Sequence, residues 1–308
     1  MKIAIVGAGA MGCVYAALLA DAGHEIWAID VNRAHIDAIK SKGLRVEGKS
    51  GDRTVSINAT TNPADAGVCE LVIVATKGMH VEAACRSATP LIGPDTMLLS
   101  IQNGLGGPDM AASILGEDRV MVGVVGGFGA SMVAPGHARH AGMELVRLGE
   151  RVGPITPRLE KVADVWRSGG FNVKCFDDID QLIWEKLICN VGLSGPCGIT
   201  GYSVGELLAD EDAFGLTAAA ASEAFAVAKA RGINLDFDDP VAYVRNFASK
   251  IPNSKPSLLQ DVEAGRLSEI DVINGAIPAA AEKLGLDAPV NRTLTRAIRV
   301  RERRAGLR

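Results

Sequence analysis

Two stretches of this sequence carry residue types and spacings that suit a chemical site. The first is Gly7-Ala8-Gly9-Ala10-Met11-Gly12, directly after the apolar run Lys2 to Val6. Gly7 permits a tight turn. Gly9 lets the backbone approach a diphosphate with no side chain in the way, and Gly12 lets a following helix pack close to the strand. The start of that helix offers unpaired N–H groups and a positive dipole end to phosphate oxygens. A Gly-rich turn that binds nothing has the same spacing, so context decides. Here a strand precedes the loop, an apolar helix (Val14 to Ala22) follows it, and the next strand, Glu25 to Ile29, ends in Asp30. Gly7, Ala8, Gly9, Ala10, Met11 and Gly12 therefore read as a dinucleotide cradle.

Asp30 bears on which dinucleotide. A carboxylate there accepts hydrogen bonds from ribose hydroxyls and repels a 2′-phosphate, which leans the reading from NADP(H) toward NAD(H). Arg33 is the counterargument, since its guanidinium suits a 2′-phosphate.

The second stretch is Trp184-Glu185-Lys186-Leu187-Ile188-Cys189-Asn190, which puts Lys186 and Asn190 on one helix face amid apolar neighbours. A solvated helix lysine fits that spacing equally well. Farther on, Ser268-Glu269-Ile270-Asp271-Val272-Ile273-Asn274 opens another helical pattern, where capping and dipole stabilisation account for Asp271 and Asn274. Cys13, Cys69, Cys85, Cys175, Cys189 and Cys197 form no metal or redox spacing and read as free buried thiols of a reducing cytosol. His137 and His140 fall in a turn and short strand, where a polar strand face explains them better than a ligand pair. No metal is expected.

The elements that must position these residues change type along the chain. Strands are read at Leu71 to Ala75, Met97 to Ile101, Val120 to Gly126, Glu144 to Leu148 and Asn172 to Phe176, with helices at Val81 to Ala88 and Pro157 to Ser168. Thr76-Lys77 and Gln102-Asn103-Gly104 then sit beyond carboxyl ends of strands, where ligands of such sheets bind. From Asp180 onward the pattern is helical: Gln181 to Asn190, Asp212 to Arg231, Pro256 to Ala264, Ile270 to Leu284 and Asn291 to Arg304. The expected fold is α/β, an N-terminal Rossmann domain with a parallel sheet (residues 1–177) followed by an all-α domain (residues 178–308). The 308 residues suit two domains. Hydrophobic residues at 48% against 22% charged make the chain globular, and a net charge of −4 argues against a nucleic-acid partner. No run of about 18 uncharged apolar residues predicts a membrane span. The start of the chain reads as a buried strand rather than a targeting segment, so a cytoplasmic protein is expected. The Ala-rich helix around residues 216–228 reads either as a homodimer surface or as the core of its own domain.

Taken together, these residues resemble the ketopantoate reductase (2-dehydropantoate 2-reductase) family over nearly the whole chain. The resemblance is carried by Gly7-x-Gly9-x-x-Gly12, by Lys77 in Ala75-Thr76-Lys77, and by Gln102-Asn103-Gly104. It continues through Trp184-x-Lys186-Leu187-x-x-Asn190, Ser257-Leu258-Leu259-Gln260-Asp261 and Ser268-Glu269-Ile270-Asp271. It implies that Lys186 is the general acid that protonates a ketone oxygen as hydride arrives, and that Glu269 holds and polarises that lysine or meets the substrate. It implies cofactor contacts from Lys77 and Asn103. It further implies substrate contacts from Asn103, Asn190, Ser194, Ser254 and Ser257 as well as Lys186 and Glu269. A cation donating to an oxygen that gains negative charge stabilises the transition state more than the ground state, and burial moves a lysine pKa toward the working range. Asn103 and Lys186 are accordingly expected to converge. Four positions depart from the family pattern: Ser194 and Ser254 stand where Asn is usual, His80 where Gln is common, and Asp30 where NADPH-dependent members carry basic or neutral residues. The implied partner is a small 2-oxo or 2-hydroxy acid, with ketopantoate as the default. The alternatives are an NAD-dependent dehydrogenase of another small hydroxy acid in the same fold, and a dinucleotide sensor without catalysis.

Overall fold

The computed structural model describes residues 1–127, 129–142 and 145–308. The chain folds as two compact units, Met1–Gln102 with Gly106–Ile179, and Asn103–Leu105 with Asp180–Arg308.

The first unit is built on the strands β1 (Lys2–Val6), β2 (Glu25–Ile29), β3 (Leu44–Gly48), β4 (Arg53–Val55), β5 (Asn58–Thr60) and β6 (Leu71–Val74). They are followed by β7 (Met97–Ser100), β8 (Val120–Gly126), β9 (Gly129–Ala134), β10 (His137–Gly142), β11 (Leu145–Glu150) and β12 (Asn172–Cys175). Its helices are α1 (Ala10–Asp21), α2 (Arg33–Lys42), α3 (Val81–Ser87), α4 (Gly107–Leu115) and α5 (Pro157–Ser168). Glu144, read above as the start of a strand, lies outside the described residues.

Eight strands form one sheet in the order β12-β11-β8-β7-β6-β1-β2-β5. The parallel expectation holds except at β8–β11, which pair antiparallel. The central strands are apolar throughout because both faces are covered. Ile3 and Ile5 of β1 join Leu71 and Ile73 of β6 in one core. Ala4 and Val6 join Val72 and Val74 in the other. That is the two-residue alternation of a strand buried on both sides. Beneath the first face, Trp166 lies edge-on to Tyr15 and Phe171 at centroid distances of 4.8 Å each.

A second sheet, in the order β4-β3-β10-β9, was not anticipated beyond the short strand at His137 and His140. Its strands are short and half polar: Leu44, Val46 and Ala138 turn inward while Arg45 and Arg139 face out. The polar-face reading holds for His137, which shares Glu47 with Arg139, but not for His140. His140 is buried, bonded to Ser50 Oγ at 2.9 Å and to the Gly142 carbonyl at 2.7 Å, and His137 pairs with Glu47 at 3.1 Å. No group of metal-ligating side chains occurs among the described residues.

The second unit holds α6 (Ile179–Thr200), α7 (Val204–Ala209), α8 (Glu211–Ala230), α9 (Pro240–Ser249), α10 (Ser257–Glu263), α11 (Ala276–Glu282) and α12 (Pro289–Arg304). Two expected helices change their limits. The helix read as Gln181 to Asn190 continues through Gly192, Gly195 and Pro196 to Thr200. Those residues signal a stop, but this helix is central, and its neighbours press on it where side chains are missing. A Cβ on Gly192 would come within 3.2 Å of Val244, and one on Gly198 within 2.4 Å of Leu258. Burial outweighs local propensity here.

The other change is at Ile270 to Leu284, where turns fill residues 270–275 and the helix begins at Ala276. The Val272 carbonyl, which a continuing helix would give to Ala276, instead accepts the Leu105 N–H at 2.9 Å. α8 buries Thr217, Ala220, Ala221, Ala224, Val227 and Ala228, most of them in the core of its own unit. No described helix is long and apolar enough to cross a membrane.

Candidate functional site

The glycine loop has the form its spacing implied. Gly7 takes φ +96°, a left-handed value, and its amide donates to the Ile29 carbonyl at 2.8 Å. A Cβ there would meet the Thr76 backbone nitrogen at 2.7 Å, and one on Gly12 would meet the Gly7 carbonyl at 2.2 Å. Ala8 is buried beneath the turn, while Ala10 and Met11 are half-buried in the first turn of α1. Gly9 is exposed, with nothing within 4 Å of an added Cβ, and as the N-cap of α1 it offers no side-chain acceptor. The first amides of α1 have no partner in the helix itself. A diphosphate suits that opening, so the loop fits a dinucleotide. Asp30 follows β2 and accepts the Asn32 amide at 2.9 Å. Arg33 begins α2 and is exposed. Lys77 follows β6 and caps the short turn Gly78–His80.

In the second unit the structure brings together residues far apart in sequence. Lys186 Nζ on α6 donates to Asn103 Oδ1 at 2.7 Å. Gly104, at φ +81°, lies so close to the turn at 269–275 that a Cβ would fall 2.1 Å from the Val272 carbonyl oxygen. The Leu105–Val272 hydrogen bond fixes the same approach, and the Val272 amide donates to the Glu269 carbonyl at 3.2 Å. Glu269 is buried. Asn190 stands half-buried one turn beyond Lys186, and Ser194 one turn further at 3% exposure. Ser257 begins α10 and is exposed, as is Ser254 three residues earlier. Asp271 is held by Arg299 at 2.7 Å and Arg308 at 2.6 Å, and Asn274 bonds the Val191 carbonyl and Asn291 at 2.9 Å each. Both are structural, as the sequence suggested, although by long-range bonds rather than by capping. Val272 is the participant that sequence missed, because its part is played by a backbone carbonyl; Gly104 was the only local sign.

The cysteines take no part in this arrangement. Burial pushes the Cys13, Cys189 and Cys197 thiols up to about 12, leaving them neutral and unreactive near pH 7.

Comparison with known proteins agrees with this geometry. Residues 3–153 match the family described as ketopantoate reductase PanE/ApbA, and residues 178–302 match its C-terminal counterpart. The chain belongs to the ketopantoate reductase family. A 2-dehydropantoate 2-reductase of Archaeoglobus fulgidus is 30% identical over 299 residues, 97% of each chain. The crystal structure of a PanE/ApbA family ketopantoate reductase from Ralstonia eutropha JMP134 superposes with a TM-score of 0.92 at 33% identity, covering 99% of this chain and 100% of that one. A ternary structure of D-mandelate dehydrogenase with NADH and anilino(oxo)acetate superposes with a TM-score of 0.91 at 28% identity, covering all of both chains. As a member of the ketopantoate reductase family, the chain is an NAD(P)-dependent oxidoreductase acting on a CH–OH or ketone centre.

Proposed function

We propose that this protein reduces the ketone of a small 2-oxo acid, with ketopantoate as the first candidate and Lys186 as the acid. The observation that carries the reading is the 2.7 Å hydrogen bond from Lys186 to Asn103, beside the docked turn that holds Glu269. A reduced nicotinamide, when bound, supplies hydride. The chain's own part is to receive the charge that develops. Lys186 donates a hydrogen bond to the carbonyl oxygen and then a proton to the alkoxide. Asn103, already accepting from Lys186, keeps that ammonium aimed. Glu269, in the turn docked on the Asn103 loop, would hold that ammonium or meet the substrate. Asn190, Ser194, Ser254 and Ser257 are the substrate contacts on this reading. The exposed hydroxyls of Ser254 and Ser257 suit a carboxylate, and Ser194 is the most buried of the four.

Gly7, Ala8, Gly9, Ala10, Met11 and Gly12 would hold the diphosphate, with Lys77 and Asn103 meeting the cofactor farther along. Asp30 reads the adenosine ribose and favours NAD(H). A second reading, an NAD-dependent dehydrogenase of another small hydroxy acid, draws support from the likeness to D-mandelate dehydrogenase. A non-catalytic dinucleotide sensor has no use for an aimed ammonium.

One assay separates these readings: loss or gain of the reduced-nicotinamide absorbance across a panel of 2-oxo and 2-hydroxy acids, with NADH and NADPH in parallel. The expected result is turnover of ketopantoate, with a higher kcat/KM for NADH than for NADPH. Asp30→Ala should then shift preference toward NADPH. A tenfold wild-type preference for NADPH would move cofactor selection from Asp30 to Arg33. Faster oxidation of a 2-hydroxy acid would favour the second reading, and no turnover of any acid would favour the sensor.

A further inference from the structure

The turn that carries Glu269 is gripped on one side by a single helix, α12. Glu302 of α12 is a carboxylate at 2% exposure. Its Oε1 accepts the Ser268 amide at 3.0 Å and the Ser268 hydroxyl at 2.6 Å, and its Oε2 accepts from Arg308 Nε. The Ser268 hydroxyl in turn accepts the Ile270 amide at 3.4 Å. Ile298, one helical turn before Glu302, packs with Leu258 on Ile270. Arg299 holds Asp271. The residues immediately before and after Glu269, and the one beyond, are thus each anchored by the same face of α12 or by Arg308.

A buried carboxylate is costly unless it is paired and fully hydrogen-bonded. This one spends one oxygen on the amide and hydroxyl of the residue preceding Glu269, and a neutral side chain would cap that amide at lower cost. We propose that Glu302 is a positioning residue for the reaction, fixing the Ser268 backbone and through it the place of Glu269 in the turn that docks on the 103–105 loop. This rests on the reading of Glu269 given above. Displacing a reacting group by about 1 Å costs up to a hundredfold in rate. Losing the grip on Ser268 should therefore reduce kcat without touching the dinucleotide loop.

The test is a double-mutant cycle on the full chain, measuring kcat, dinucleotide affinity by fluorescence titration, and Tm. Glu269→Gln is expected to lower kcat strongly. Glu302→Gln keeps an acceptor oxygen but loses the charge paired with Arg308; it should lower kcat on the order of tenfold or more with dinucleotide affinity unchanged. In the Glu269→Gln background, Glu302→Gln should have no further effect on kcat, since it acts through a carboxylate already gone. An unchanged kcat in Glu302→Gln, or a full additional drop in the Glu269→Gln background, overturns the proposal. A fully active Glu269→Gln instead overturns the reading of Glu269 itself, and the proposal with it. Should Glu302→Gln fail to fold, Ser268→Ala removes the hydroxyl arm alone and is read by the same cycle.

Discussion

At the residue scale, the proposed chemistry turns on Lys186. Its spacing from Asn190 left a solvated lysine equally plausible, because periodicity places a residue on a face without saying what meets that face. The bond to Asn103, 83 residues away, shows what does meet it and supports the proposed role. Lys186→Ala should lower kcat by roughly a hundredfold or more, the usual weight of general acid catalysis. Dinucleotide affinity should stay near wild type, since the glycine loop is untouched. Steady-state kinetics with a parallel fluorescence titration checks this, and near-wild-type turnover would remove Lys186 from the mechanism. The glycine loop, by contrast, was legible in full from sequence: backbone torsion and the absence of Cβ atoms are local demands, and they show directly in the residue types.

At the element scale, the turn at 269–275 and the loop at 103–105 depend on each other. Gly104 is held at φ +81° with no room for a Cβ against the Val272 carbonyl. Gly104→Ala should lift the loop, break the Leu105–Val272 bond and turn Asn103 away from Lys186. The expected cost is about 1–3 kcal/mol of stability, as for other overpacked positions. A fall in kcat larger than any change in dinucleotide affinity should accompany it. If kcat survives while Tm falls, the loop is scaffolding and Asn103 does not aim Lys186. The sequence erred at these elements for one reason. It extended the helix at Ile270 to Leu284 and cut short the helix at Asn190 because helix signals are counted locally. A carbonyl claimed by a distant amide, and a proline tolerated in a buried helix, are both tertiary effects.

At the scale of the whole molecule, stability should respond to mild acid through buried imidazoles. His35 is buried, with Nδ1 accepting the Gly136 amide at 2.9 Å. Burial lowers its pKa from the ordinary value, against the opposing pull of Asp30 and the Ala8 backbone. His140 is lowered by burial as well. Once unfolded, both rings take up protons below about pH 6.5. The unfolded chain then binds more protons than the folded one, so stability is full above that pH and declines as pH falls toward the folded-state value. Thermal melts should give a lower Tm at pH 5.5 than at pH 7.5, with a smaller drop in His35→Gln. An unaltered drop in that variant would show that His35 does not carry the effect.

The sequence by itself determined the sheet's central strands, the glycine cradle, the change to helices near residue 180 and the family. Each rests on spacing within a few residues: a period of two, a glycine needing positive φ, an acid closing a strand. Only the tertiary structure decided that the small sheet around β3 and β10 exists and that His140 is a core residue. It also decided that α6 runs on to Thr200. And it alone brought Asn103, Lys186 and the Glu269 turn into one unit with α12 behind them. Those outcomes depend on hydrogen bonds and packing between residues tens to a hundred positions apart, where the free energy of burial outweighs what any local window of sequence prefers.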